Sequence, residues 1–102
     1  MGWATHYILK LKKGETVQFR PRGNSMKPRI ESGQLVTVVP LADHVVLKPG
    51  DIVLCKVYGH EYLHLIHAVL REGEVWTIAN ARGRVNGTAG RGRIYGVCTK
   101  IE

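Results

Sequence analysis

The apolar residues of this chain fall into short, β-branched runs separated by breaks that carry Gly or Pro, and this spacing limits the fold more than any other feature. Val17 and Phe19 alternate with Thr16, Gln18 and Arg20, the period-two signature of a half-buried strand, until Pro21 and Gly23 interrupt it. Leu35 to Val39 and Asp51 to Tyr58 read as buried strands. Gly59-His60-Glu61 separates the second of these from Tyr62 to Leu70 at the spacing of a hairpin. Glu72-Gly73 then turns into Val75 to Ile78, and Ile94 to Ile101 closes the chain. About six strands with short connections predict a mainly β, antiparallel domain. Only the N-terminal stretch has a different period. There Trp3, Tyr7, Ile8 and Leu11 share one helical face, Lys10, Lys12 and Lys13 crowd the C-terminal pole, and Gly14 supplies the stop. The expected organisation is a short amphipathic helix within residues 1–14 and a single β domain over 15–102.

A chain of 102 residues supports one core. Its apolar runs extend only a few residues, far short of the roughly 18 needed to cross a bilayer, and no signal-peptide core opens the sequence. No membrane association is expected. Cys55 and Cys98 stand far apart without a Cys-x-x-Cys pair, so neither a disulfide framework nor a cysteine zinc site is suggested, and a reducing cytoplasm is the expected location.

Serine is scarce, with only Ser25 and Ser32. Ser25 lies in Arg22-Gly23-Asn24-Ser25-Met26-Lys27-Pro28, between the end of a strand and a sharp turn. Gly23 and Asn24 permit unusual backbone angles and Pro28 restricts local freedom, which suits an exposed nucleophile whose neighbouring backbone N–H groups receive an oxyanion. Gly23 to Ile30, followed by Gly33-Gln34-Leu35-Val36, resembles the Gly-x-Ser-Met-x-Pro box of LexA-like and signal-peptidase-like serine proteases. Lys48-Pro49-Gly50-Asp51-Ile52-Val53 is similar to that family's Pro-Gly-Asp-Ile-Val element, Tyr62 to Val69 to the strand that delivers its general base, and Ile94-Tyr95-Gly96-Val97 to its final strand. The matching segments run in the family's order over residues 15–102. The resemblance implies a LexA/signal-peptidase-like antiparallel β-ribbon domain that cleaves a protein or peptide substrate without a cofactor.

Most family members use a Ser–Lys dyad, and the matching position in Leu65-Ile66-His67-Ala68-Val69 holds His67, as in the His-type signal peptidases. An imidazole with an ordinary pKa near about 6.5 is largely neutral at pH 7 and accepts a proton without the deep burial that a lysine requires. On a strand His67 shares a face with Leu63, Leu65 and Val69, while His64 shares the other with Ile66 and Ala68, so only one of the two points at Ser25. The resemblance favours His67, with His64 as runner-up. Asn24 and Met26 would support the oxyanion beside Ser25. The segment where His-type enzymes carry an acid reads Ile78-Ala79-Asn80-Ala81-Arg82, leaving Asn80, a backbone carbonyl or water to orient the base. Self-cleavage is not expected, because the usual Ala-Gly or Cys-Gly bond is missing before Ser25.

Two further features compete for attention. His60-Glu61-Tyr62-Leu63-His64 spells the zincin string His-Glu-x-x-His, but that signature binds zinc only on a helix, and this segment has the pattern of a strand, so no metal is expected. The net charge of +7 favours an acidic partner. Arg82, Arg84, Arg91 and Arg93 lie in a Gly/Arg-rich loop that suits phosphate contacts, so a basic module for nucleic acid or an acidic protein is the rival to the hydrolase.

Overall fold

A computed structural model describes residues 2–102. One helix, α1 (Thr5–Lys12), precedes seven strands: β1 (Val17–Phe19), β2 (Val36–Pro40), β3 (Ile52–Val57), β4 (His60–Leu70), β5 (Val75–Ala79), β6 (Val85–Gly90) and β7 (Ile94–Ile101). They form a single sheet in the order β1-β2-β7-β3-β4-β5-β6, and every neighbouring pair is antiparallel. The mainly antiparallel β architecture with one short N-terminal helix follows the sequence pattern. No described helix is long and apolar enough to cross a membrane.

The central strand β3 buries every residue except Lys56, which is why it reads as a continuous apolar run rather than an alternation. Ile52 and Leu54 face one core, formed with α1, Val17, Phe19, Val36, Val38 and Leu63. Val53, Cys55 and Val57 face a second, formed with Ile66, Trp76, Ile78 and Ile94. The turn from β3 to β4 is Tyr58-Gly59, one step earlier than expected, because Val57 pairs with His60. Both turn residues have positive φ, 50° and 79°, the type I′ geometry that matches strand twist in a two-residue hairpin. His60 and Glu61 therefore belong to β4.

Helix α1 buries Ile8 and Leu11, each contributing about 1.5–3 kcal/mol, and stacks Tyr7 on Phe19 at 4.4 Å between ring centroids. No side chain of the helix caps its own N-terminus. Glu61 of β4 does so instead: its carboxylate accepts from the Ala4 backbone N–H at 2.6 Å and from the Thr5 hydroxyl at 2.7 Å. Helix and sheet thus share one core, and the helix start is tied to the strand beside Ser25.

The Gly/Arg segment departs from the expected loop. Residues 85–90 form β6, an edge strand paired with β5. Its sequence, Val-Asn-Gly-Thr-Ala-Gly, buries only Ala89, so it has neither the alternation of β1 nor the apolar run of β3.

Candidate active site

The loop from β1 to β2 carries Ser25 and is fixed at several points. Gly33 N–H bonds to the Pro21 carbonyl at 2.8 Å and Ile30 N–H to the Met26 carbonyl at 2.9 Å. Gly23 N–H bonds to Ser32 Oγ at 3.1 Å. Met26 and Ile30 plug the loop into the first core, and Ala81 N–H grips the Ser25 carbonyl at 3.0 Å, tethering the loop to the end of β5. Ser25 is left exposed on a braced turn.

Its hydroxyl meets His64. The Ser25 Oγ to His64 Nε2 distance is 3.2 Å, and His64 Nδ1 lies 2.7 Å from Asn86 Oδ1. Because the Asn86 carbonyl oxygen accepts, Nδ1 carries the ring proton, and Nε2 presents its lone pair to the serine hydroxyl. Tyr62, two residues away on the same strand face, stacks on the imidazole at 4.8 Å. His64 is only 7% exposed, and this burial pushes its pKa below the ordinary histidine value, partly opposed by the bond to Asn86. The ring is thus held neutral and oriented.

The expected pairing of Ser25 with His67 is not formed. The β4–β5 register jumps between Ile66 and Ala68, so His67 is the extra residue of a bulge and sits exposed. Of the two faces of β4, the one carrying His64 meets the serine. Asn80 does not orient the base either: its Oδ1 accepts from the backbone N–H groups of Arg82 and Arg84 at 2.9 and 3.0 Å and shapes that turn. The orienting residue is Asn86, which sequence reasoning missed. It is likewise a bulge residue, skipped by the register between Ile78–Gly87 and Ala79–Val85. The bulge re-aims its side chain toward His64. The Asn-Gly pair of Val85-Asn86-Gly87, inside a segment read as loop, was the available signal.

Asn24 uses its carbonyl to accept from Lys27 N–H at 3.2 Å, closing the turn, and its exposed side chain forms no hydrogen bond among the described residues. The backbone N–H groups of Ser25 and Met26 also have no acceptor among the described residues. Ser25, Met26 and His64 line a cleft of about 320 Å³ whose other walls include Trp3, Ile30 and Leu63.

The β4 edge beside this cleft is open. Ile66 exchanges hydrogen bonds with Gly50 and Asp51 on the β3 side, at 2.9 and 2.8 Å, and the His60–Val57 pair closes the hairpin on that side too. Backbone groups alternate direction along a strand, so those of Glu61, Leu63 and Leu65 point the other way. Leu65 pairs there with Ala79 of β5, and the Glu61 carbonyl accepts from the Trp3 indole N–H at 3.1 Å. Between them, no described residue pairs with Leu63 on the cleft side.

His60 and Glu61-to-His64 lie on a strand, which spaces His60 and His64 about 13 Å apart along the chain, too far to share one ion. Glu61 is committed to capping α1. The four arginines are not brought together as one patch. Arg91 bonds to the carbonyls of Val45 and Ala42 at 2.9 and 3.5 Å and lies over the Trp76 ring at 5.4 Å, a structural role, while Arg82, Arg84 and Arg93 are exposed. No protein-family model, curated protein or solved structure matches the chain, so its likeness to LexA-like and signal-peptidase-like proteases rests on the motif residues themselves.

Proposed function

We propose that this chain is a minimal serine endopeptidase of the LexA/signal-peptidase type that hydrolyses a peptide bond through Ser25, His64 and Asn86. The observation that carries the reading is the continuous chain from the Ser25 hydroxyl through the buried His64 ring to Asn86. A serine, a neutral imidazole and an orienting side-chain acceptor are the parts needed to activate an alcohol. The scissile carbonyl is attacked by Ser25 Oγ while His64 Nε2 takes the hydroxyl proton. The backbone N–H groups of Ser25 and Met26 receive the oxyanion, and His64 returns the proton to the leaving amine. Water, activated by the same imidazole, then releases the acyl group. Asn86 keeps the proton on Nδ1 and, being neutral, adds no charge to stabilise the imidazolium; modest turnover is the consequence. A substrate segment docks as an extended strand on the open Leu63 edge, as the antiparallel sheet invites. The two free cysteines suit a reducing cytoplasm as the site of action.

Labelling with a fluorophosphonate probe tests the reading. A mass increase on the Ser25-containing peptide, absent in Ser25→Ala and His64→Ala, is expected. A folded wild-type chain that stays unlabelled from pH 6 to 9 would leave the exposed Arg82 and Arg84, beside the Ser25 loop, as the surface of a basic binding module.

A further inference from the structure

The open β4 edge is only one residue pair long, and what ends it is the segment leading into α1. At Leu65 the edge is taken by β5. At Glu61 it is taken by Trp3, whose indole N–H occupies the carbonyl that the next strand residue would use. Trp3 is held there from several directions. Its ring meets Phe19 edge-on at 5.7 Å, the following Ala4 N–H is bound by the Glu61 carboxylate at 2.6 Å, and a Cβ on the preceding Gly2 would collide with that carboxylate. The indole also forms a wall of the Ser25 cleft while remaining 51% exposed. It stands in the path of a bound strand without being needed to fill the core.

We propose that Trp3 is a specificity-determining residue: it stops the substrate strand one pair beyond Leu63, so the enzyme selects chains that end, or turn away at Gly or Pro, within two residues of the one paired with Leu63. The inference rests on the peptidase reading. A substrate residue opposite Leu63 makes both ladder bonds, because the N–H and C=O of Leu63 face the cleft. The residue two positions further along would lie opposite Glu61, where the acceptor is already used and the indole fills the space. A chain that continues straight must displace Trp3 or lift off Leu63, and either misplaces the scissile bond relative to Ser25. The substrate class is therefore a protein chain cut close to one of its termini, or beside a tight bend.

Wild-type protein, Trp3→Ala, Trp3→Phe and Ser25→Ala are incubated with a proteome-derived peptide library, and new termini are quantified by mass spectrometry. Wild type is expected to cut bonds a short, fixed distance from one peptide end, or from a Gly or Pro, about tenfold more often than interior bonds. Trp3→Ala should bring interior bonds to parity, a gain that misfolding cannot produce, and Trp3→Phe should give a bias between the two, because the ring still fills the path while the Glu61 carbonyl loses its indole donor. Even cutting of interior bonds by wild type, or an unchanged profile in Trp3→Ala, overturns the inference while leaving the peptidase reading intact. Wild-type cutting no higher than that of Ser25→Ala overturns the peptidase reading and the inference with it.

Discussion

Replacing Asn86 with alanine isolates the contribution of the orienting bond. The 2.7 Å contact to Nδ1 is the only described interaction that selects which ring nitrogen of His64 carries the proton. A neutral hydrogen bond of this kind contributes a net ~0.5–1.5 kcal/mol, equivalent to about a 2- to 13-fold bias in tautomer population. Its loss also leaves the Nδ1–H of a nearly buried ring unpaired, so the ring gains a reason to turn away from Ser25. The expected result is a fall of about tenfold in the second-order rate of fluorophosphonate labelling, well short of the loss in Ser25→Ala. Circular dichroism and a melting curve check that the fold persists. A labelling rate in Asn86→Ala equal to wild type, with the fold intact, would remove Asn86 from the mechanism and with it the claim that the β6 bulge serves the site.

Protonated His64 cannot accept the serine proton, so labelling should fall as pH drops, with a midpoint on the acid side of an ordinary histidine because burial lowers its pKa. Asn86→Asp, placing a carboxylate at Nδ1, should move that midpoint upward by about a unit or more, read from the pH–rate profile. The same burial lowers stability in acid. The folded state binds fewer protons than the unfolded chain, so the contribution of His64 is present above about pH 6.5 and declines as pH falls below it. Glu61→Ala should cost about 1–3 kcal/mol in urea unfolding, since it strips the buried Ala4 N–H and the start of α1 of their acceptor. Gly87→Ala should cost a similar ~1–3 kcal/mol and slow labelling as well: at φ 148° a Cβ would come within 2.8 Å of Val57 Cγ1 and 2.9 Å of the Tyr58 ring, pushing on the bulge that aims Asn86.

Elements whose apolar residues follow a simple period or form an unbroken run were legible in the sequence. The alternation of Val17 and Phe19 and the helical spacing of Ile8 and Leu11 each report one face turned to a core, the apolar run of β3 reports two, and the sheet follows from them. β6 was not legible, because an edge strand of Gly, Thr and Asn with one buried residue carries no such period. The same physics hid the partners of Ser25. Strand parity showed that only one of His64 and His67 can face the serine, but the choice depends on which face of β4 lies beneath the Ser25 loop, a matter of tertiary packing rather than local pattern. The bulges that leave His67 outside and bring Asn86 inward are single-residue register shifts set by pairing between strands, and no spacing within one strand announces them. Glu61 shows the converse: a motif that reads as catalytic in one dimension is a helix cap in three.

Whether the proton of Ser25 goes to His64 is decided by fluorophosphonate labelling of wild type, Ser25→Ala, His64→Ala and His67→Ala side by side at pH 8. The proposed mechanism requires labelling in wild type and in His67→Ala, and none in the other two. Labelling that survives in His64→Ala but disappears in His67→Ala would contradict the account.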